Sequence, residues 1–215
     1  MINKPIRKDE QMKILFGTTN ESKLRSMRRV TDDMGIELIG LSDLRLPLPE
    51  IEESGRDILK NAELKARAYW QAFHIPVFSC DSGLYFDGVE DSLQPGTHVR
   101  RVNGRDLTDD EMIDWYGGLA RAHGGTLTAR YRNAVCFVAD GEIVSERADD
   151  TLASEPFLLT DKPHAKREKG YPLDSLSADI RTGRYYYDLP DASFEDNSVD
   201  RGFYAFFRDL LQLLG

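Results

Sequence analysis

Three short stretches carry side chains suited to handling a phosphorylated substrate. The first is Gly17-Thr-Thr-Asn-Glu-Ser-Lys23. It follows the apolar run Lys13-Ile-Leu-Phe16 and opens a helix, so its backbone N–H groups gather beside the positive end of a helix dipole. Thr18, Thr19 and Asn20 add side-chain donors, and Lys23 returns a cation one turn later. The stretch reads as a phosphate cradle, although it lacks the spacing of a glycine-rich P-loop. The second stretch holds Glu50, Glu52 and Glu53, which are either solvated loop charges or the source of a carboxylate for Mg²⁺. That ion favours a few carboxylates together with substrate phosphates and water. The third is Cys80-Asp-Ser-Gly-Leu84, where Asp81 ends the apolar strand Pro76–Cys80. Ligands of open α/β sheets bind at that end of a strand. Asp81 is a candidate metal ligand or base for water, and Ser82 a candidate phosphate donor. The competing reading is a plain Asp81-Ser-Gly83 turn leading into Leu84-Tyr-Phe86.

The elements around these residues follow from spacing. Leu24, Met27, Val30 and Met34 give the helix from about Glu21 to Met34 one apolar face, and Gly35 stops it. Ile36–Leu41 reads as a second strand, making a β-α-β start with a parallel pair. Asp57 caps a helix to about Phe73, on which Asn61 and Lys65 share a face one turn apart. Pro95-Gly96 opens a loop bearing Arg100, Arg101 and Arg105, and Thr108 caps a helix to about His123. Thr126–Val138 alternates as a long strand, with a hairpin at Asp140-Gly141 leading into Ile143-Val144. Phe203–Leu214 is a very apolar terminal helix, taken as core packing. The fold expected is α/β: a mixed twisted sheet with helices on both faces, two lobes around a central cleft, and a long central β-hairpin. Residues 1–11 read as a flexible leader and 12–215 as one domain of two lobes.

Composition narrows the partners. The chain has 215 residues, 40% hydrophobic and 30% charged, which suits a globular protein with a real core. A net charge of −9 disfavours long nucleic acid, yet leaves room for a small anion held by local cations and a divalent metal. No apolar run reaches the roughly 20 residues of a membrane span. Cys80 and Cys136 both read as buried free thiols, pointing to a reducing, cytoplasmic setting. The four histidines show no zinc spacing, no nucleophile elbow is present, and Tyr185-Tyr-Tyr187 reads as packed aromatics.

Taken together, the motifs resemble those of the inosine-triphosphate pyrophosphatase family. Thr18-Thr-Asn-Glu-Ser-Lys23 is similar to its Thr/Ser-x-Asn-x-x-Lys. Glu52-Glu-Ser-Gly55 followed by Asn61-Ala-Glu-Leu-Lys-Ala66 is similar to its Glu-Glu-Thr-Gly and Asn-Ala-x-x-Lys-Ala. Cys80-Asp-Ser-Gly-Leu84 resembles Asp-Asp-Ser-Gly-Leu, and Pro95-Gly96 with Arg101 resembles Pro-Gly-x-x-x-x-Arg. The resemblance implies hydrolysis of a non-standard or modified purine nucleoside triphosphate to monophosphate and pyrophosphate, with Mg²⁺ as cofactor and a homodimeric enzyme. It implies Glu52 and Asp81 as metal ligands and Asp81 as the residue that activates water. Lys23, Thr18, Thr19, Asn20, Ser82 and Gly83 would hold the triphosphate, with Arg101 nearby.

The second half departs from that pattern. The family's Gly-Phe-Gly-Tyr-Asp-Pro falls at Gly170-Tyr-Pro-Leu-Asp174-Ser175, keeping Gly170, Tyr171 and Asp174. Its Ser-His-Arg-Gly falls at Val199-Asp-Arg-Gly202, keeping Arg201 and replacing the imidazole with Asp200. Glu195 stands where a Lys is expected, and Cys80 where the first Asp of the pair would be. An ionised Asp only accepts hydrogen bonds, so an altered base preference is expected. The alternative is a nucleotide-binding regulatory protein that has lost turnover. A related phosphohydrolase acting on a diphosphate or a pathway intermediate is a further option.

Overall fold

A computed structural model describes residues 11–52, 55–190 and 198–215. In chain order the strands are β1 (Met12–Phe16), β2 (Ile36–Gly40), β3 (Val77–Phe86), β4 (Arg101–Val102), β5 (Arg105–Asp106), β6 (Thr126–Ala139), β7 (Glu142–Arg147), β8 (Phe157–Thr160) and β9 (Ser177–Asp179). The helices are α1 (Glu21–Val30), α2 (Leu41–Leu44), α3 (Ile58–Phe73), α4 (Asp109–Ala122) and α5 (Ser198–Leu214). The expected leader lies almost wholly outside the described residues, as do Glu53 and Glu195.

The chain forms two compact units. The first comprises Met1–Asp81, Asn133–Leu152 and Ser198–Gly215. Here β1 pairs in parallel with β2 (Met12↔Ile36 to Phe16↔Gly40) and with β3 (Leu15↔Val77, Phe16↔Phe78). The expected β-α-β start is therefore present. β7 adds an antiparallel hairpin to β6 through the Asp140-Gly141 turn, both residues at positive φ. Helices cover both faces of this sheet. On one face Ile14, Phe16, Phe78, Val135 and Phe137 pack with Leu24 and Met27 of α1 and Phe203, Phe206 and Phe207 of α5. On the other, Leu15, Val77, Ala134, Cys136 and Val138 pack with Ala62, Ala66 and Tyr69 of α3. α5 comes close to the chain at Thr151, because a Cβ on Gly202 would meet the Thr151 carbonyl.

The second unit comprises Ser82–Arg132 and Ala153–Asn197. β6 pairs antiparallel with β8 (Leu127↔Leu159), and β8 with β9 (Leu159↔Ser177). One face of these strands packs Leu84, Phe86, Leu127, Ala129, Phe157 and Leu159 against Met112, Ile113, Tyr116 and Ala120 of α4. α4 starts on a reciprocal cap: Thr108 Oγ1 accepts from Glu111 N–H, and Glu111 accepts from Thr108 N–H.

Two details differ from expectation. α1 ends at Val30, and Thr31 supplies its C-cap, donating its N–H and hydroxyl to Met27 O. A β-branched residue able to bond back to the preceding turn ends a helix readily. No Asp-Ser-Gly turn exists either. Val77–Phe86 is a continuous strand, because Asp81 is held by side chains of α3 and needs no local turn to satisfy its carboxylate.

Candidate active site

Alternation along β3 decides what Cys80 and Asp81 face. Cys80 is buried in the apolar cluster with Phe78, Phe203 and Phe207, so Asp81 projects from the opposite side of the strand, toward α3. There Lys65 Nζ donates to Asp81 Oδ1 at 2.7 Å, and Asn61 Nδ2 donates to Asp81 Oδ2 at 3.0 Å. All three are buried, with the Lys65 and Asp81 side chains 11% and 13% exposed. A carboxylate taken out of water must be compensated, and these two donors do so from one face of α3. Asn61 also donates to Gly55 O at 3.0 Å, tying Asp81 to the end of the loop that carries exposed Glu52. A Cβ on Gly55 would fall 2.7 Å from Asn61 Oδ1, so glycine permits that contact.

Asn61 and Lys65 were legible as a helix face but not as part of a site. The signal available was two polar residues one turn apart beside the inner stripe of an amphipathic helix. Only the pairing of β3 with the sheet brings Asp81 onto them.

The Gly17–Lys23 loop joins β1 to α1 as expected, but most of its backbone N–H groups are bonded within the protein rather than gathered for a phosphate. Gly17 allows β1 to end against α3, since a Cβ there would collide with Ser79 Oγ and fall 2.7 Å from the Tyr69 ring. Asn20 is the N-cap of α1, its Oδ1 accepting from Ser22 N at 2.9 Å and Lys23 N at 3.2 Å. Gly17 N–H goes to Phe78 O, Thr18 N–H to Phe16 O and Asn20 N–H to Thr18 Oγ1. Much of the backbone cradle is thus used internally. The hydroxyls of Thr18 and exposed Thr19, the Asn20 amide nitrogen and half-buried Lys23 are the side-chain groups suited to an anion.

The remaining predicted residues fall as follows. Asp200 and Arg201 lie in the first unit, in the opening turn of α5, with Asp200 half-buried and Arg201 exposed. Burial pushes the Asp200 carboxyl above the usual range, against the opposing pull of Arg29. Ser82, Gly83, Arg101, Tyr171 and Asp174 lie in the second unit. Arg101 is engaged with Asp106 across the β4–β5 hairpin at 3.0 Å, and Arg100 with Asp109 at 2.8 Å. Tyr171 is exposed beside the turn Pro172–Leu176 that holds Asp174.

Burial, reinforced by Glu168, pushes the Asp174 carboxyl up to about 6. The folded protein therefore holds this proton between about 4 and 6, where the unfolded chain has released it. Stability falls as pH rises through that window, and the cost is full above it. Asp174→Asn should gain about 2 kcal/mol over the parent at pH 7.5 and little at pH 4.5. Urea denaturation at the two pH values checks this, and an equal gain at both would refute it.

Asp81 has lone pairs left over from Lys65 and Asn61, and Glu52 is exposed in the loop that Asn61 ties down. Among the described residues no three His, Cys, Asp or Glu side chains cluster as a metal cage. One or two carboxylates with substrate phosphates suffice for Mg²⁺, so the donor set fits that ion.

A model of the Ham1 family matches residues 14–157, spanning the Gly17 loop, α3, Asp81 and β6. The chain belongs to the Ham1 family. The resemblance read from its motifs is thereby borne out. A dITP/XTP pyrophosphatase of Rhodopseudomonas palustris is 34% identical over 157 residues, 67% of this chain and 70% of that protein. One from Symbiobacterium thermophilum is 30% identical over 173 residues, covering 80% and 82%. With one from Aquifex aeolicus, identity rises to 39% over 102 residues, but the match spans about half of each chain, 47% and 48%. A HAM1 protein from Coxiella burnetii has a similar structure, with a TM-score of 0.73 at 21% identity, covering 94% of this chain and 98% of that one. That likeness speaks to the mixed α/β fold alone.

Proposed function

We propose that this chain hydrolyses a nucleoside triphosphate to the monophosphate and pyrophosphate with the help of Mg²⁺. The observation that carries the reading is Asp81, a buried carboxylate clamped by Lys65 and Asn61 within the family-matched region. Asp81 and Glu52 would hold the metal, which when bound neutralises phosphate charge and supports in-line displacement. Asp81 fixes the direction of its free lone pairs through its two donors, so a water hydrogen-bonded to it is oriented rather than free to rotate. Lys23, Thr18, Thr19, Asn20, Ser82 and Gly83 would bind the phosphates. Cys80 faces apolar core, so its presence in place of a carboxylate does not argue against turnover.

Base preference is the second part of the proposal. Asp200 would read the base where the family pattern has an imidazole, with Arg201, Tyr171, Asp174 and Arg101 as further substrate contacts. A base presenting an N–H or amino group suits an accepting carboxylate better than one presenting a 6-oxo group. A panel of nucleoside and deoxynucleoside triphosphates, read by pyrophosphate release with Mg²⁺, tests both parts. Asp200→His should shift preference toward inosine and xanthosine triphosphates by about tenfold, the scale of one hydrogen bond to a buried partner. The preference reading is wrong if the parent already favours those two by a wide margin. Tight binding of one nucleotide without turnover of any would favour a regulatory nucleotide-binding protein instead. A cytoplasmic homodimer is part of the same reading. Among the described residues no helix is long and apolar enough to cross a membrane.

A further inference from the structure

The strands of the second unit have one face packed on α4 and another turned away from it. On β6, Leu127 and Ala129 enter the apolar cluster and Tyr131 packs against it, which places Thr128, Arg130 and Arg132 on the opposite face. On β3, Leu84 and Phe86 enter the same cluster, which places Tyr85 opposite as well. The Arg132 guanidinium carbon lies 5.3 Å from the centre of the Tyr85 ring, within cation–π range. Tyr85 in turn lies against the backbone at Gly83, where a Cβ would fall 2.8 Å from Tyr85 Cε2 and 2.9 Å from its hydroxyl. Gly83, Tyr85 and Arg132 thus lie in one series of contacts, and Gly83 directly follows Ser82 in the chain.

Arg132 and Arg130 share this face, and among the described residues only Arg132 of the two lies over an aromatic ring; both differ from several other arginines of the second unit. Arg100, Arg101, Arg105 and Arg121 each pair with a carboxylate, those of Asp109, Asp106, Glu111 and Asp161. Arg132 is exposed and, among the described residues, forms no ion pair. A cation–π contact at this distance is not a hydrogen bond to an acceptor, so it leaves the guanidinium N–H groups for one. That planar fork matches the oxygens of a phosphate.

We propose that Arg132, held over the Tyr85 ring, is a further substrate-binding residue that takes a phosphate of the nucleoside triphosphate and of the pyrophosphate product. The inference rests on the reaction proposed above. The test compares Arg132→Gln, Arg132→Lys and Tyr85→Leu with the parent, and uses Arg121→Gln as a control for net charge. Two quantities are read: kcat and KM with the best nucleoside triphosphate, and calorimetric binding of inorganic pyrophosphate with Mg²⁺. Arg132→Gln should raise KM and weaken pyrophosphate binding about tenfold, the scale of one charge-assisted contact. Arg132→Lys and Tyr85→Leu should fall in between, and Arg121→Gln should stay within about twofold of the parent. Thermal melts should not move for Arg132→Gln, since the side chain is exposed. Unchanged pyrophosphate binding in Arg132→Gln, or an equal loss in Arg121→Gln, overturns the proposal. If the parent turns over no nucleotide, the proposed reaction fails by itself and pyrophosphate binding still decides Arg132. Loss of that binding in Arg132→Gln upholds the assignment, and no difference, or no binding by the parent, sinks it.

Discussion

Asp81→Asn should lower pyrophosphate release by about a thousandfold or more, the scale on which a residue that orients and deprotonates a nucleophile acts. The substitution keeps the shape and removes the charge, but shape is not enough at this position. Lys65 Nζ and Asn61 Nδ2 are both donors, at 2.7 and 3.0 Å, and an amide can offer an acceptor to only one of them. Whichever way the new amide turns, one contact becomes donor against donor. A loss of about 1–3 kcal/mol in stability should therefore accompany the loss of activity. Steady-state kinetics and urea denaturation on the same preparation separate the two effects. Undiminished activity would remove Asp81 from the chemistry, whatever the fate of the reaction itself.

The second large effect is expected at Lys65. Its side chain is 11% exposed and Asp81's 13%, so neither charge can turn to water when its partner is lost. Lys65→Met leaves Asp81 buried with one neutral donor, and breaking such a pair costs about 3–5 kcal/mol. Exposed pairs such as Arg101–Asp106 contribute little by comparison, so Asp106→Asn should hardly move the unfolding midpoint. The double substitution Lys65→Met with Asp81→Asn should recover a large part of the stability and none of the activity. Recovery follows because the uncompensated charge is gone, and activity stays absent because the carboxylate is gone too. If the double variant is as unstable as the sum of the singles, the pair is not coupled and the account of the site fails.

Secondary elements that rest on local chemistry were legible without coordinates. Asp57 and Thr108 cap α3 and α4, and Asp140-Gly141 turns the β6–β7 hairpin. Each depends on residues within one turn of one another, so the chain order contains all the information needed. The motif order from Gly17 to Asp81 likewise indicated the family, because spacing along the chain is itself the signal.

Local chemistry along the chain thus fixed the capped helices, the first β-α-β unit and the β6–β7 hairpin, and it singled out Asp81 while placing it at a strand end rather than in mid-strand. Tertiary structure decided what that residue touches. Asp81 lies sixteen or more residues from Lys65 and Asn61 along the chain, and only the parallel docking of β3 beside β1, under α3, closes the clamp. The same docking turned an expected Asp-Ser-Gly turn into continuous strand, with Cys80 facing core and Asp81 facing α3. In the Gly17–Lys23 loop, folding also decided which donors were taken for capping. A period of two along a strand fixes opposite faces for neighbours, but which face meets a helix is settled only when the layers pack.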